Sequence, residues 1–336
     1  MNTNLGLRPE FLPRVSIIIS HRNQRDLLEK ALESLSKLNY PKYEIIVVDA
    51  ASTDGSLDLV ESLFPHVRLV RCSHIGIGQA INEGIKRASG EVIVFDFNAD
   101  ELADENWLLI ATTVLLKSPK VGVVGGTRII RGTDDVIDQS GGRIGFLGLP
   151  LAIDSCQSYS DCRKSPREVD FVPTPIFKKE LLAQTGLVDE NFEFYWEDID
   201  FCMRVKYLGY KVLNLPEAVT YHLAADTKKE VEMAKRGRVY YSKRGLIRYV
   251  IKHFPLPRLL LALFWWFMVQ PAVDAAAFFP LTRSLLERVG VHRKTLADVY
   301  ADFQAAAWNI HNIRDTLAAR ARMLSKKPRA PARKLS

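Results

Sequence analysis

Short apolar runs alternate with amphipathic stretches through the first hundred residues. "VSIII" at 15–19 predicts a strand, and "RDLLEKALESLSKL" predicts a helix with Leu27, Leu28, Ala31, Leu32 and Leu35 on one face. "YEIIVVDA" is a second strand, closed by the turn "ASTDGS", which opens a helix over Leu57, Val60, Leu63 and Phe64. "VRLVRC", the helix "IGQAINEGIKRASG" and the strand "EVIVFDF" complete the series. These strands are continuous β-branched runs, the pattern of a sheet buried on both faces. Their βαβαβαβ order predicts a doubly wound α/β sheet whose ligands sit beyond the carboxyl ends of the strands. Farther along, "VGVVGGTRIIRG" and "VDFVPTPIFKKELLAQTG" read as strands and a helix, and "DIDFCMRVKYLG" as a helix before the strand "YKVLNLP".

The polar residues gain meaning from that placement. Asp49 ends the second strand, and Asp96, Asn98 and Asp100 follow the fourth, so both acidic positions fall on the ligand-binding edge. Carboxylates one residue apart in a loop can converge on a hard divalent cation such as manganese or magnesium, which would neutralise a pyrophosphate. A second acidic cluster, "ENFEFYWEDIDFCMRV", sets Glu193, Glu197, Asp198 and Asp200 among aromatic rings. Lost solvation there raises carboxyl pKa values toward those useful to a general base. Asp200 stands four residues before Arg204, where an intrahelical ion pair accounts for it. His222, in "EAVTYHLAADT", reads as a loop residue after a strand and as a candidate further ligand of the metal. Each feature alone has an ordinary structural reading: a solvated acidic loop, an ion pair, a packed histidine.

Taken in order, "VSIIISHRN", "YEIIVVDAASTDGS", "IGIGQAINEGIKRASGEVIVFDFNAD" and "DFVPTPIFKKELLAQTGLVDENFEFYWEDIDFCMRVKYLGYKVLNLPEAVTYH" resemble glycosyltransferase family 2, nucleotide-sugar enzymes of the GT-A fold. The resemblance covers residues 13–225. It implies a Rossmann-like mixed sheet, with Ser20, Arg22, Asn23, Asp49 and Ser52 around the nucleoside and Gly76 and Asn82 close to the nucleotide. The family's DxD position falls on Asn98, Ala99 and Asp100, which makes Asp100 the main metal ligand, supported by Asp96 and completed by His222. Asp198 falls on the catalytic base, with Glu197 beside it. The implied reaction is a single displacement with inversion. Polysaccharide-making relatives carry QxxRW after the base; here the nearest string is "KRGRV", in which only Arg238 fits, as a cation for the pyrophosphate or an acceptor phosphate.

The last third changes character. Residues 256–281, "LPRLLLALFWWFMVQPAVDAAAFFPL", hold one acidic residue, Asp274, and follow a basic stretch containing Lys243, Arg244, Arg248 and Lys252. Some twenty helical residues cross a hydrocarbon core of roughly 30 Å. Pro271 and Asp274 interrupt this run, so a kinked or interfacial segment is the alternative to a clean span. "RGLIRYVIKHFP" reads as a basic amphipathic helix on lipid headgroups. Residues 295–323 read as a long helix with Val299, Phe303, Ala306, Ile310 and Ile313 as an apolar stripe, suited to the catalytic domain or to the bilayer.

The expected organisation is a catalytic domain at 1–228, amphipathic and membrane helices at 229–325, and a disordered basic tail at 326–336. With 336 residues, 47% of them apolar, and a formal charge of +7, the chain has a full core and a basic balance that suits an anionic membrane rather than nucleic acid. Cys72, Cys156, Cys162 and Cys202 lack CxxC spacing, which suggests reduced thiols. The resemblance implies a hexosyltransferase of the mannosyl- and rhamnosyltransferase kind, using GDP-mannose or dTDP-rhamnose and a lipid-linked saccharide on the cytoplasmic side of the cell membrane. A polyprenyl- or dolichyl-phosphate sugar synthase and a non-catalytic nucleotide-sugar-binding module are the alternatives.

Overall fold

The computed structural model describes residues 9–73, 76–133, 135–162, 165–223, 228–271, 273 and 296–326. Its strands are β1 (Val15–His21), β2 (Tyr43–Ala50), β3 (Arg68–Cys72), β4 (Val92–Val94), β5 (Glu101–Ala103), β6 (Val121–Ile130), β7 (Ile137–Gln139), β8 (Gly142–Ile144), β9 (Pro150–Ala152), β10 (Arg167–Glu168), β11 (Ile176–Lys178) and β12 (Lys211–His222). The helices are α1 (Arg25–Leu35), α2 (Ser56–Leu63), α3 (Ile77–Arg87), α4 (Trp107–Lys117), α5 (Leu182–Thr185), α6 (Glu197–Tyr207), α7 (Lys228–His253), α8 (Leu256–Phe264), α9 (Leu296–His311) and α10 (Ile313–Leu324).

Helices cover both faces of one mixed sheet. In β1, Val15, Ile17 and Ile19 pack with Leu28 and Leu32 of α1 and Trp107 and Leu108 of α4. Ile18 points the other way, to Ala80, Ile81 and Ile85 of α3. A strand with two buried faces has no polar side to show, which is why the run is unbroken. The strand order is β10-β12-β6-β11-β4-β1-β2-β3, with β5 on β12 and β7 on β6. From β3 to β4 the pairing is parallel, as the alternating pattern predicts. Beyond β4 it reverses: β11 lies antiparallel between β4 and β6, and β12 runs parallel to β6 but antiparallel to β5. His222 therefore closes β12 opposite Glu101 of β5, and is not in a loop.

In the basic stretch, Arg244, Arg248 and Lys252 do not face outward as a headgroup collar. Leu246, Tyr249 and Val250 of α7, and Phe254 just after it, belong to the same buried cluster as Ile18 and Phe95. Phe254→Ala alone should cost about 3–5 kcal/mol, the scale of a large-to-small core change. Arg244, Arg248 and Lys252 of α7 are buried too. Arg248 bonds both carboxylate oxygens of Asp189 at 2.9 Å, and Lys252 reaches Asp189 at 2.8 Å and Asp200 at 2.7 Å. Asp200 also pairs with Arg204 at 2.8 Å, the expected intrahelical bridge.

The apolar run is described as far as residue 271, with 273; residues 272 and 274–295 lie outside the described residues. Among the described residues no helix is long and apolar enough to cross a membrane, so the embedded helical region expected from the sequence is not found there. Pro255 separates α7 from α8, and α8 continues into one π-helical turn, Trp265–Val269. Ala262 is buried and Leu259, Leu263 and Trp266 pack on the core, whereas Leu256, Leu260, Leu261 and Phe264 are exposed. The segment lies along the domain. The expected long carboxyl-terminal helix is split near Asn312 into α9 and α10, and its buried face is Ala301, Ala305, Asn309, Thr316, Ala319 and Met323. Phe303 and Ile310 of the expected stripe point outward, because the small residues allow the closer approach to α7.

Candidate active site

The carboxyl ends of β1 and β2 form a polar recess. His21 and Asp49 stand opposite each other in the parallel register. Asp49 Oδ2 accepts from the Ser52 amide at 3.0 Å, but its Oδ1 and both ring nitrogens of His21 are buried without a hydrogen-bond partner among the described residues. Such orphaned groups are costly unless a ligand satisfies them. Burial lowers the His21 pKa, against the pull of Asp49 and Asp54. Asn23, at φ 53°, ties the two loops together: its amide donates to Ser52 Oγ at 2.9 Å and its Oδ1 accepts from the Thr53 amide at 2.8 Å. Arg22 is exposed on the same loop.

Past β4 the chain enters a cavity of about 480 Å³, lined by Asp96, Asn98, Arg128, Glu197 and Asp198 among others. Asp96 Oδ1 accepts from the Ser20 hydroxyl at 2.9 Å and the Ser20 amide at 3.2 Å. Burial pushes the Asp96 carboxyl up to about 7, the Ser20 bonds opposing. Asn98 donates to Glu101 Oε1 at 2.9 Å, and Glu101, wholly buried, is paired with Arg128. Across the cavity, Tyr195 and Trp196 both adopt left-handed φ values, 64° and 77°, immediately before Glu197 starts α6. Two consecutive non-glycine residues in that region store strain, and here they turn the first carboxylates of α6 toward the cavity. Burial raises Asp198 to about 6 and raises Glu197 well above the ordinary range, with Asp198 adding to the latter.

The β12–β5 pairing brings His222 to Asp100, 122 positions away in the chain. His222 Nε2 lies 3.2 Å from Asp100 Oδ2, and its Nδ1 lies 3.2 Å from Asp138 Oδ2. These two bonds push His222 up to about 9, against burial. A carboxylate on Nδ1 fixes the ring and leaves Nε2 to face Asp100, the arrangement that commonly orients a ligating histidine. The donor set, one carboxylate oxygen and one imidazole nitrogen, fits manganese or magnesium when ligand oxygens complete the shell. Among the described residues no three His, Cys, Asp or Glu side chains are grouped to hold a metal by themselves. Asp96, expected to support the metal, lines the cavity and has its Oδ1 bonded by Ser20.

Other expected residues are used differently. Asn82 is buried; it donates to Val188 O at 3.0 Å and Glu190 Oε1 at 2.9 Å and accepts from the Val188 amide at 3.0 Å, so it fastens the 188–190 segment rather than facing a nucleotide. Gly76 caps α3 against Glu193, where a Cβ would come within 2.7 Å of Glu193 Cγ. The side chain of Arg238 lies outside what is described. Asp138, Arg128, Glu101 and Thr174, which donates to Glu101 Oε2 at 3.2 Å, were not singled out by the sequence. Glu101 at least belongs to the acidic run after β4, whereas nothing local marks Asp138, Arg128 or Thr174, which pairing across the sheet brings to it.

Residues 16–161 match the sequence model of glycosyl transferase family 2. Over those residues the chain is similar to glycosyltransferase family 2. An uncharacterized glycosyltransferase of Nostoc sp. is 28% identical over 215 residues, 62% of this chain and 64% of that protein. The poly-beta-1,6-N-acetyl-D-glucosamine synthase of Staphylococcus aureus is 23% identical over 283 residues, 80% of this chain and 66% of the synthase. The chain thus spans slightly less than two thirds of the length of those relatives. Two solved structures share its GT-A fold. A mannosyltransferase of Pyrobaculum calidifontis, in complex with GDP-Man and Mn2+, superposes with a TM-score of 0.55 at 19% identity, covering 95% of this chain and 87% of that one. Residues 1–349 of S. aureus TarS, in complex with UDP, give 0.51 at 18% identity, covering 93% and 90%.

Proposed function

We propose that the chain is an inverting, metal-dependent hexosyltransferase that moves one sugar from a nucleoside diphosphate to a lipid-linked saccharide. The observation that carries this reading is that Asp198, raised to about 6, lines the same cavity as Asp96 and Asn98. In that position Asp198 takes the proton from an acceptor hydroxyl as the hydroxyl attacks the anomeric carbon from the side opposite the diphosphate. Burial, with Asp198 beside it, raises Glu197 well above the ordinary range, which favours Asp198 as the base. The orphaned His21 nitrogens and Asp49 Oδ1 supply hydrogen bonds for the nucleoside base and ribose. Asp100 and His222 would hold manganese or magnesium, which when bound supplies positive charge against the departing diphosphate.

GDP-mannose is the favoured donor, since the fold is shared with a mannosyltransferase described with GDP-Man and Mn2+; dTDP-rhamnose is the second. The proposed acceptor is lipid-linked and the proposed place is the cytoplasmic face of the cell membrane; the exposed Leu256, Leu260, Leu261, Phe264, Phe267 and Met268 form a row suited to interfacial contact, which supports a membrane surface. Thermal unfolding against GDP-mannose, dTDP-rhamnose and UDP-N-acetylglucosamine, with and without manganese, tests the donor site. A ligand at a hundred times its Kd should add roughly 2.7 kcal/mol. Stabilisation by a nucleotide sugar only with manganese supports the reading, and no stabilisation by any of them contradicts it.

A further inference from the structure

The turn that carries the proposed base is gripped from behind by one helix. Trp196, 3% exposed, donates its indole N–H to Ser242 O at 3.0 Å and packs on Tyr249 with ring centroids 5.1 Å apart. Gly245, between those two contacts on α7, lies so close that a Cβ there would come within 2.3 Å of Trp196 Cδ1. One turn into α6, Asp200 is bound by Lys252 and by His253, each at 2.7 Å. Glycine is a poor residue for a helix interior. Its presence where an indole must fit gives it a use that helix formation does not.

We infer that α7 is the positioning element for Asp198, acting through Trp196, whose indole fits the gap left by Gly245. The inference rests on the reading of Asp198 as the base. Trp196 borders the cavity but turns its indole onto α7, and Gly245 lies behind it; together they hold the strained Tyr195–Trp196 turn that points Asp198 into the cavity. The groups facing Asp198 there are Glu197, Asp96 and Arg128, and a shifted turn changes its distance from all of them. Gly237 provides a control on the same helix, because among the described residues a Cβ at Gly237 meets only Tyr241, at 4.0 Å.

Four variants test this: Gly245→Ala, Gly237→Ala, Trp196→Phe, and Trp196→Phe combined with Gly245→Ala. Gly245→Ala should lower kcat for manganese-dependent GDP-mannose hydrolysis roughly tenfold or more, the scale of a displaced catalytic group, with donor Kd unchanged. Gly237→Ala should change neither. Trp196→Phe, which keeps a ring but loses the bond to Ser242, should lower kcat without weakening donor binding. The double variant should be no worse than Trp196→Phe alone, because the smaller ring relieves the clash. Carbon-13 titration of the Asp198 carboxyl, assigned with Asp198→Asn, reads the same geometry without a donor. Its midpoint should leave the wild-type value in Gly245→Ala and in Trp196→Phe, and stay in Gly237→Ala. Wild-type kcat and an unmoved midpoint in Gly245→Ala or in a folded Trp196→Phe overturn the inference. If the wild-type protein does not hydrolyse GDP-mannose, the donor reading fails and the titration alone decides the positioning.

Discussion

Lys252→Met tests whether the basic residues of α7 are interior struts. The ammonium of Lys252 is 3% exposed and lies between two carboxylates, at 2.8 Å from Asp189 and 2.7 Å from Asp200, which is itself wholly buried. Removing one partner of a buried ion pair costs about 3–5 kcal/mol, because the remaining charge is left without compensation. Both carboxylates keep another partner, Arg248 for Asp189 and Arg204 with His253 for Asp200, so the low end applies. At about 2 °C per kcal/mol for a chain of this size, a loss of about 3 kcal/mol lowers Tm by roughly 6 °C. Differential scanning calorimetry at pH 7 measures it, and Asp200→Asn in the same chain should recover part of the loss. The pH dependence has a definite sign. Asp189 and Asp200 are both held below the ordinary carboxylate range against burial, Lys252 being the largest favourable influence on each. Their stabilisation is complete above the unfolded value of about 3.9 and fades as pH falls through the lowered folded values. A Tm within a degree or two of wild type at pH 7 would mean that Lys252 is solvated, and the account of α7 as a core helix would fail.

Three further outcomes are expected. His222→Ala should abolish manganese-dependent nucleotide binding, and Asp138→Asn should weaken manganese affinity by about 10–100-fold, the scale of losing a carboxylate behind a ligating histidine; isothermal titration with manganese and nucleoside diphosphate measures both. Turnover should rise with pH through about 6 as Asp198 ionises, and Asp198→Asn should remove that limb from the pH–rate profile; a limb that persists unchanged assigns it to another group. A protein truncated at residue 228 should aggregate, since it exposes the core filled by Leu246, Tyr249, Val250 and Phe254 and strips Asp189 and Asp200 of their α7 partners; a soluble, cooperatively unfolding product contradicts this.

The parallel half of the sheet was legible because each strand is an unbroken apolar run followed by an amphipathic helix. Strand ends then pointed to Asp49, Asp96, Asn98 and Asp100, and the aromatic surroundings of Asp198 gave the right direction for its pKa. What escaped depends on distant pairing. Asp138 is an ordinary acidic residue until β7 and β12 flank β6 and place it on His222. Arg248 and Lys252 look solvated in a basic stretch, because their carboxylates lie 52 to 67 positions away in the chain. Asn82 sat in a segment that resembled a nucleotide-binding one, yet its amide is consumed by the 188–190 backbone and Glu190. Helix periodicity favoured Phe303 and Ile310 as the docking stripe of α9, whereas the packing distance is set by Ala301 and Ala305.

The central claim is transfer with inversion through Asp198, and proton NMR of the sugar released during manganese-dependent donor turnover tests it most directly. Wild-type protein given GDP-mannose, an α-linked donor, should release GDP and first form the β anomer, before mutarotation. Asp198→Asn should bind the donor equally well and turn it over about a hundredfold more slowly or worse. Initial release of the α anomer, or undiminished turnover by Asp198→Asn, contradicts the account.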